Sequence, residues 1–378
     1  MNAFDLMALA EGATGFQGGA AVDSHPYLTL SEATAELPVM IMQEQCEFHA
    51  WSMNQNEVLT EAAVSAFTTG SKIDVSAMAE ASVSGIVNKI KSVFARIKKF
   101  LGSIVAKLKL HIDKIRMTGS QLYARYKNDP RLKGKDFKNM KFTGYKFEKD
   151  IPFQATDTYL KNVDGLLSKA GGNGIMTPSQ FSDELNKDGA NQEALKKRLT
   201  EMEDLDTKTR TANFATELVG KKVGENWRAD ITDELWGEKV DLTYGTDYTI
   251  EGVTATLSNP LNLKGLTDGY EAMLNAVNAN ERQVQASADA LQKVIDKGNA
   301  DNNAAKINAL ASEYYSAYLK IYTDLTGTIT AIQDIRVKYE TARYNQNKEI
   351  LVKMMSYKGD TASEDASADA DEFDFELM

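Results

Sequence analysis

Three stretches of the chain repeat apolar residues in alternating steps of three and four, and this periodicity limits the fold more than any other feature. The first runs Val87, Ile90, Phe94, Ile97, Leu101, Ile104, Leu108, His111, Ile115. The second runs Tyr270, Leu274, Val277, Glu281, Val284, Ala288, Leu291, Ile295, and the third Ile307, Ala311, Tyr314, Tyr318, Ile321, Leu325, Thr328, Ile332, Ile335, Tyr339, Ala342. A strand alternates with period two, so a seam of this kind sustained over nearly four heptads or more belongs to long helices that bury one side against each other. KGNADNN separates the second and third seams and reads as a stop and restart, which predicts an antiparallel helical hairpin. The third seam is rich in tyrosine and alanine, is weakened midway by Gly327 with Thr326, Thr328 and Thr330, and needs a further helix to cover it. The helix over 86–116, about 50 Å long at 1.5 Å per residue, has the matching period.

The stretches between are less regular. KFTGYKFEKD at 141–150 predicts a short strand or hairpin, and VDLTYGTDYTIEGVTATL at 240–257 predicts two short β runs around turn residues. Helices are expected at 177–185 and 192–218, and Gly171, Gly172 and Gly174 form a linker lacking the Lys-Ser/Thr ending of a phosphate loop. The expected fold class is mainly α: a long-helix bundle, made of an antiparallel helical hairpin plus a long basic amphipathic helix, with a small α+β insertion. By segment, this gives a loosely folded acidic leader at 1–84, a basic amphipathic helix and hairpin at 85–149 and a mixed α+β region at 150–265. The long helical hairpin occupies 266–356 and a disordered acidic tail 357–378.

The net charge of −11 is distributed unevenly. Residues 1–84 carry one base, Lys72, against eleven acids, whereas 85–149 carry eighteen Lys and Arg against four acids. On the helix over 86–116, Lys89, Lys91, Arg96, Lys98, Lys99, Lys107, Lys109, Lys114 and Arg116 lie off the apolar seam and define a basic surface. Such a surface attracts phosphates without reading sequence, and on an amphipathic helix it also suits an anionic membrane. Aromatics interleaved with lysines at 141–149 are compatible with stacking on single-stranded nucleic acid. The segment beyond Ser356 holds Lys358 against eight acids, with Phe373, Phe375 and Leu377 alternating among them as a short docking motif.

Catalytic chemistry has little to work with. Cys46 is the single cysteine, so no intramolecular disulfide can form, and His25, His49 and His111 are the only histidines. Cys46 and His49 have a metal-like spacing, but two ligands do not complete a zinc shell. The chain shows no nucleophile elbow, P-loop or HExxH motif and no cofactor-binding pattern, and the reading is non-enzymatic. No run of 18 apolar residues is present, and the N-terminus lacks the basic start of a secretory signal.

MNAFDLMALAEG places a short amphipathic helix ahead of Leu9, Ala10, Glu11 and Gly12. This resembles the capsid-targeting leaders of internal head and virion structural proteins in large tailed bacteriophages, whose maturation protease cuts after Leu, Ile or Ala, any residue, then Glu. The Leu form recurs at Leu30–Glu32, Leu59–Glu61 and Leu199–Glu201, and the Ala form at Ala362–Glu364 and Ala370–Glu372 in the tail. Three of the four Leu matches fall in the acidic leader. The resemblance covers about 60 residues, and the chain departs from the small internal proteins of that family in its size and net acidity.

The resemblance implies a virion protein assembled in the host cytoplasm, with other virion proteins or a scaffold as partners. DNA would be bound without sequence preference, and a helix-mediated oligomer is compatible with the seams. A membrane-active protein using the basic helix, or a cytoplasmic helical scaffold, are the alternatives. If such a protease acts, mature particles contain chains starting at Gly12, Ala33 or Ala62, as terminal mass spectrometry would read. An intact Met1 or Asn2 in mature particles excludes processing.

Overall fold

The computed structural model describes residues 83–147, 153–172, 175–185, 192–237, 239–245, 248–258, 261–297 and 303–357. Three long helices organise them: α1 (Val83–Tyr126), α9 (Leu261–Lys297) and α10 (Asn303–Ser356). Between α1 and α9 come β1 (Lys141–Tyr145), α2 (Phe153–Leu160), α3 (Val163–Ala170), α4 (Pro178–Leu185), α5 (Gln192–Glu203), α6 (Thr207–Val219), α7 (Trp227–Trp236), β2 (Lys239–Thr243) and α8 (Ile250–Ser258).

The partners along each long helix fix the directions. Tyr270 donates to the Thr330 carbonyl, Asn280 to the Tyr318 hydroxyl, and Ser287 pairs with Tyr315, so α9 and α10 run antiparallel, as the seams predicted. Lys98–Glu281 and Lys109–Glu271 likewise set α1 antiparallel to α9. Phe94 meets the Tyr322 ring at 5.4 Å, while Gly119 lies beside the Tyr344 hydroxyl, so α1 runs parallel to α10. On α1, Phe94, Ile97, Leu101, Ile104, Leu108, His111 and Ile115 are all buried, the seam in its expected register.

The third seam behaves differently from the other two. From Tyr314 to Val337 almost every residue of α10 is buried, because α1, α5, α6, α7, α8 and α9 surround it. A helix enclosed on all sides has no polar face, yet this one carries many polar side chains, and each needs a local partner. Threonines answer this by bonding back to their own helix: Thr326 to the Tyr322 carbonyl, Thr328 to Asp324 and Thr330 to Thr326, all within 2.9 Å. Tyrosines reach outward, Tyr314 to the Met176 carbonyl at 2.8 Å and Tyr318 to Asn280 at 2.6 Å. Their rings stack in a line from Phe181 through Tyr314 and Tyr318 to Tyr322.

Four local expectations need correction. The basic helix does not end near Arg116; it continues through Gly119 to Tyr126. Gly119 serves a close crossing, since a Cβ there would lie 1.6 Å from the Leu257 carbonyl oxygen of α8. The strand at 141–145 does not form a hairpin with its neighbours. It pairs antiparallel with β2, Lys141 opposite Thr243 and Tyr145 opposite Lys239, about a hundred residues away. The second β run expected before 257 is instead α8, whose Val253, Thr254 and Leu257 are buried at helical spacing. Finally, the helix expected over 192–218 breaks into α5 and α6. Asp206 accepts from the Lys208 and Thr209 amides and starts a new helix, and Gly220 closes it at φ 68°.

Replacing glycine by alanine inside a helix ordinarily stabilises it by about 0.5–1 kcal/mol. Gly119→Ala is expected to do the opposite and lower the melting temperature, because the methyl group meets backbone rather than a movable side chain. Thermal unfolding followed by circular dichroism checks the sign.

Candidate polyanion surface on the first helix

At about 100° per residue, the basic residues of α1 fall into two stripes. Lys91, Lys98, Lys109 and Arg116 flank α9, and two of them are spent there: Lys98 on Glu281 at 2.6 Å and Lys109 on Glu271 at 2.5 Å. Arg96, Lys107 and Lys114 run along the other flank and Lys99 lies opposite the core, with Lys99 and Lys114 exposed and Arg96 and Lys107 half-buried. Lys91 and Arg116 are exposed as well. The side chain of Lys89 lies outside the described residues. The expected single basic surface is thus divided: one edge fastens two helices, and away from it Lys99 and Lys114 stand exposed, with Asp113 beside Lys114.

The outer face also carries two side chains that periodicity alone did not single out. Leu110 is 61% exposed and Met117 64%, seven residues apart and therefore on one line of the helix. The signal was present in the sequence as apolar residues off the seam, but only a known core direction turns them into a surface feature.

The lysine and aromatic segment after α1 resolves into separate uses. Phe137 is buried against Tyr244 and Tyr357, Phe147 packs edge-on to Tyr339, and Phe142 lies under the Lys353 ammonium. Tyr145 exchanges backbone hydrogen bonds with the Gln346 side chain. These rings hold the two-stranded sheet on the C-terminal part of α10, which leaves them badly placed to stack on bases. The cleft beneath the sheet, lined by Met140, Phe142, Leu242, Tyr244, Tyr248 and Ile350, offers about 10 Å³, room for a single water.

Buried ionisable groups are paired for structure. Arg210, only 1% exposed, donates to Asp324 at 2.7 Å and to the Leu205 carbonyl, tying α6 to the middle of α10. Desolvation still raises the Asp324 carboxyl above its usual range, against the pull of Arg210. Asp334 is raised for the same reason despite its 3.0 Å bridge to Lys338. Arg336 reaches Asp157 of α2 at 2.9 Å. Among the described residues, no three His, Cys, Asp or Glu side chains converge on a metal-sized site, and no helix is long and apolar enough to cross a membrane.

The remaining sequence-predicted sites divide by location. The processing residues Leu9, Glu11, Gly12, Leu30, Glu32, Leu59 and Glu61, the pair Cys46 and His49, and the tail motif Phe373, Phe375 and Leu377 lie outside the described residues. The fourth processing match is described, and there Leu199 is buried within α5, where a protease cannot extend the chain. No protein-family model, curated protein or solved structure matches the chain.

His111 occupies the seam of α1 with its Nε2 unpartnered, and burial, helped by Lys114, pushes its pKa down to about 4. The unfolded chain takes up this proton near pH 6.5, whereas the folded one resists it until about pH 4. His111 therefore withdraws stability as pH falls between those values, by roughly 3 kcal/mol in total. His111→Met should flatten that part of the stability profile, as denaturant titrations at pH 7 and pH 4.5 would measure. An unchanged pH dependence would place the loss elsewhere.

Proposed function

We propose that the protein is a non-enzymatic structural component of a tailed-phage particle that lies against packaged DNA through the outer face of α1. The observation carrying the DNA contact is the separation of α1 into an inward apolar seam and the exposed lysines Lys99 and Lys114 outside it. A rigid helix inside a bundle holds these charges at fixed spacing, and phosphates need no more than that for sequence-independent contact. The particle assignment rests on the resemblance of the leader and its repeated Leu-x-Glu matches to those of virion proteins.

The membrane reading draws on the same helix, but Phe94, Ile97, Leu101 and Ile104 have no exposed surface in the bundle. Insertion through that stripe requires the bundle to open first, at the cost of the whole seam. The reading in which the folded protein contacts a polyanion needs no such opening.

The test is salt-dependent binding of the full chain to duplex DNA of arbitrary sequence. Each phosphate contact contributes about 0.9 to the slope of log K against log salt. Lys99→Gln with Lys114→Gln should lower that slope by about two and weaken binding equally on every sequence. A double variant indistinguishable from the parent chain overturns the proposal.

A further inference from the structure

The fifteen residues from Lys127 to Lys141, which join α1 to β1, hold six bases against two acids, although the chain as a whole carries −11. Three buried apolar residues, Leu132, Phe137 and Met140, fix the course of this connection. Turns hold the stretches between them: the Leu132 amide donates to the Asp129 carbonyl and the Met140 amide to Phe137, while the Tyr244 amide beyond β2 donates to the Met140 carbonyl. Phe137 meets the rings of Tyr244 and Tyr357, and Lys135 donates to the Tyr357 carbonyl, which seats the segment against the end of α10. With its apolar residues turned inward, the connection leaves Lys133, Lys138 and Lys141 exposed.

The neighbouring carboxylates already have partners. Asp129 accepts two side-chain bonds from Arg131, at 2.8 and 3.0 Å. Asp136 accepts from the Lys138 amide at 3.0 Å and stands 3.9 Å from its ammonium. Asp241, which faces β1 from β2, accepts from the Thr143 hydroxyl at 2.8 Å. Among the described residues, no carboxylate bridges Lys133 or Lys141. Like charges held near one another by a fixed backbone repel, and a ligand that supplies negative charge relieves that repulsion.

We propose that this connection is a second nucleic-acid contact, at the end of the bundle, in which Lys133, Lys138 and Lys141 meet the phosphates of a DNA duplex. The proposal rests on the reading of the protein as one that contacts DNA, but not on the face of α1 assigned to that contact. The spacing suits a chain of phosphates. Lys133 and Lys141 are eight residues apart, so their Cα atoms lie within about 28 Å of each other. One strand of a duplex presents a phosphate about every 3.4 Å along its axis, and three long side chains find partners there in any register. A membrane fits less well, because the connection exposes no large apolar side chain to bury among lipid tails. A single strand also fits less well: Phe137, Phe142 and Phe147 are engaged with Tyr244, Lys353 and Tyr339, which leaves no free ring for a base.

The two contacts are separate. Lys133 lies past the last residue of α1, Tyr126, whereas Lys114 lies about 18 Å before it along the helix axis. Each set of lysines can therefore be removed without disturbing the other.

Fluorescence anisotropy of labelled duplex DNA with the full chain, over a range of salt, tests the proposal. Combining Lys133→Gln, Lys138→Gln and Lys141→Gln should lower the slope of log K against log salt by between about two and three, and weaken binding at least about tenfold at about 0.1 M salt. All three side chains are exposed, so the melting temperature should not change. Arginine at the same three positions should restore slope and affinity, since phosphates accept either cation. A glutamine variant that binds like the parent, while Lys99→Gln with Lys114→Gln lowers the slope, overturns the inference and leaves the helix face standing. The reverse result supports the inference and fails the helix face instead. An arginine variant as weak as the glutamine one overturns the inference. So does a parent chain that prefers single strands, or that binds phosphatidylglycerol vesicles but no duplex. A parent chain that binds no duplex overturns both readings.

Discussion

The fold depends on enclosing one long helix that is not apolar enough to be enclosed cheaply. α10 spans 54 residues, and its central turns are buried on every side while carrying threonine, glutamine, aspartate and arginine. Each buried polar group left without a partner costs about 1–3 kcal/mol, so the surrounding elements are constrained by hydrogen-bond chemistry as much as by volume. Threonines remove themselves from the problem by bonding within the helix. Arg210 meets Asp324, Asp157 meets Arg336, and Asn280 and Ser287 meet tyrosine hydroxyls, and every one of these partners arrives on a different element from the one it satisfies.

That arrangement explains why the region between α1 and α9 consists of short helices. α6 delivers Arg210, α2 delivers Asp157, and α4 offers the Pro178 carbonyl to Ser287 and the Phe181 ring to Tyr314. Breaking one member of a buried pair such as Arg210–Asp324 leaves a charge without compensation, which costs about 3–5 kcal/mol, comparable to truncating a large core side chain. The pairs also give register: a helix sliding by one turn along α10 would lose its partner. The satisfaction is incomplete: Gln333 has neither amide atom partnered, and single side-chain atoms of His111, Arg210, Asn280, Asp334, Arg336, Thr341 and Tyr344 also lack one.

Against this interior, α1 has a different role on each side. Its seam closes the bundle over α9 and α10, its flank is fastened to α9 by Lys98 and Lys109, and its outer face carries cations and two apolar side chains toward solvent. The DNA contact proposed for α1 concerns that third side alone. It draws on the fact that a helix locked by its seam presents its remaining charges at fixed spacing, whereas a free amphipathic peptide would turn its seam toward whatever apolar surface it met.

The sequence by itself determined the three long helices, the antiparallel hairpin and the core direction of α1, because a three-four repeat held over several heptads admits one backbone period and one buried side. It also showed where the charge lies. What only the tertiary structure decided was everything resting on contacts between distant residues. Periodicity does not distinguish a seam from a helix buried all round, so the enclosure of α10 was illegible until its six neighbours were in place. The periodic pattern stopped near Arg116; only the Leu257 carbonyl shows that Gly119, beyond it, is a crossing point inside the helix. β1 finds its partner about a hundred residues away, a pairing no local pattern encodes. And the separation of the fastening edge, Lys98 and Lys109, from the other basic residues followed from the position of Glu271 and Glu281 on another helix, a through-space fact that charge counting along the chain does not contain.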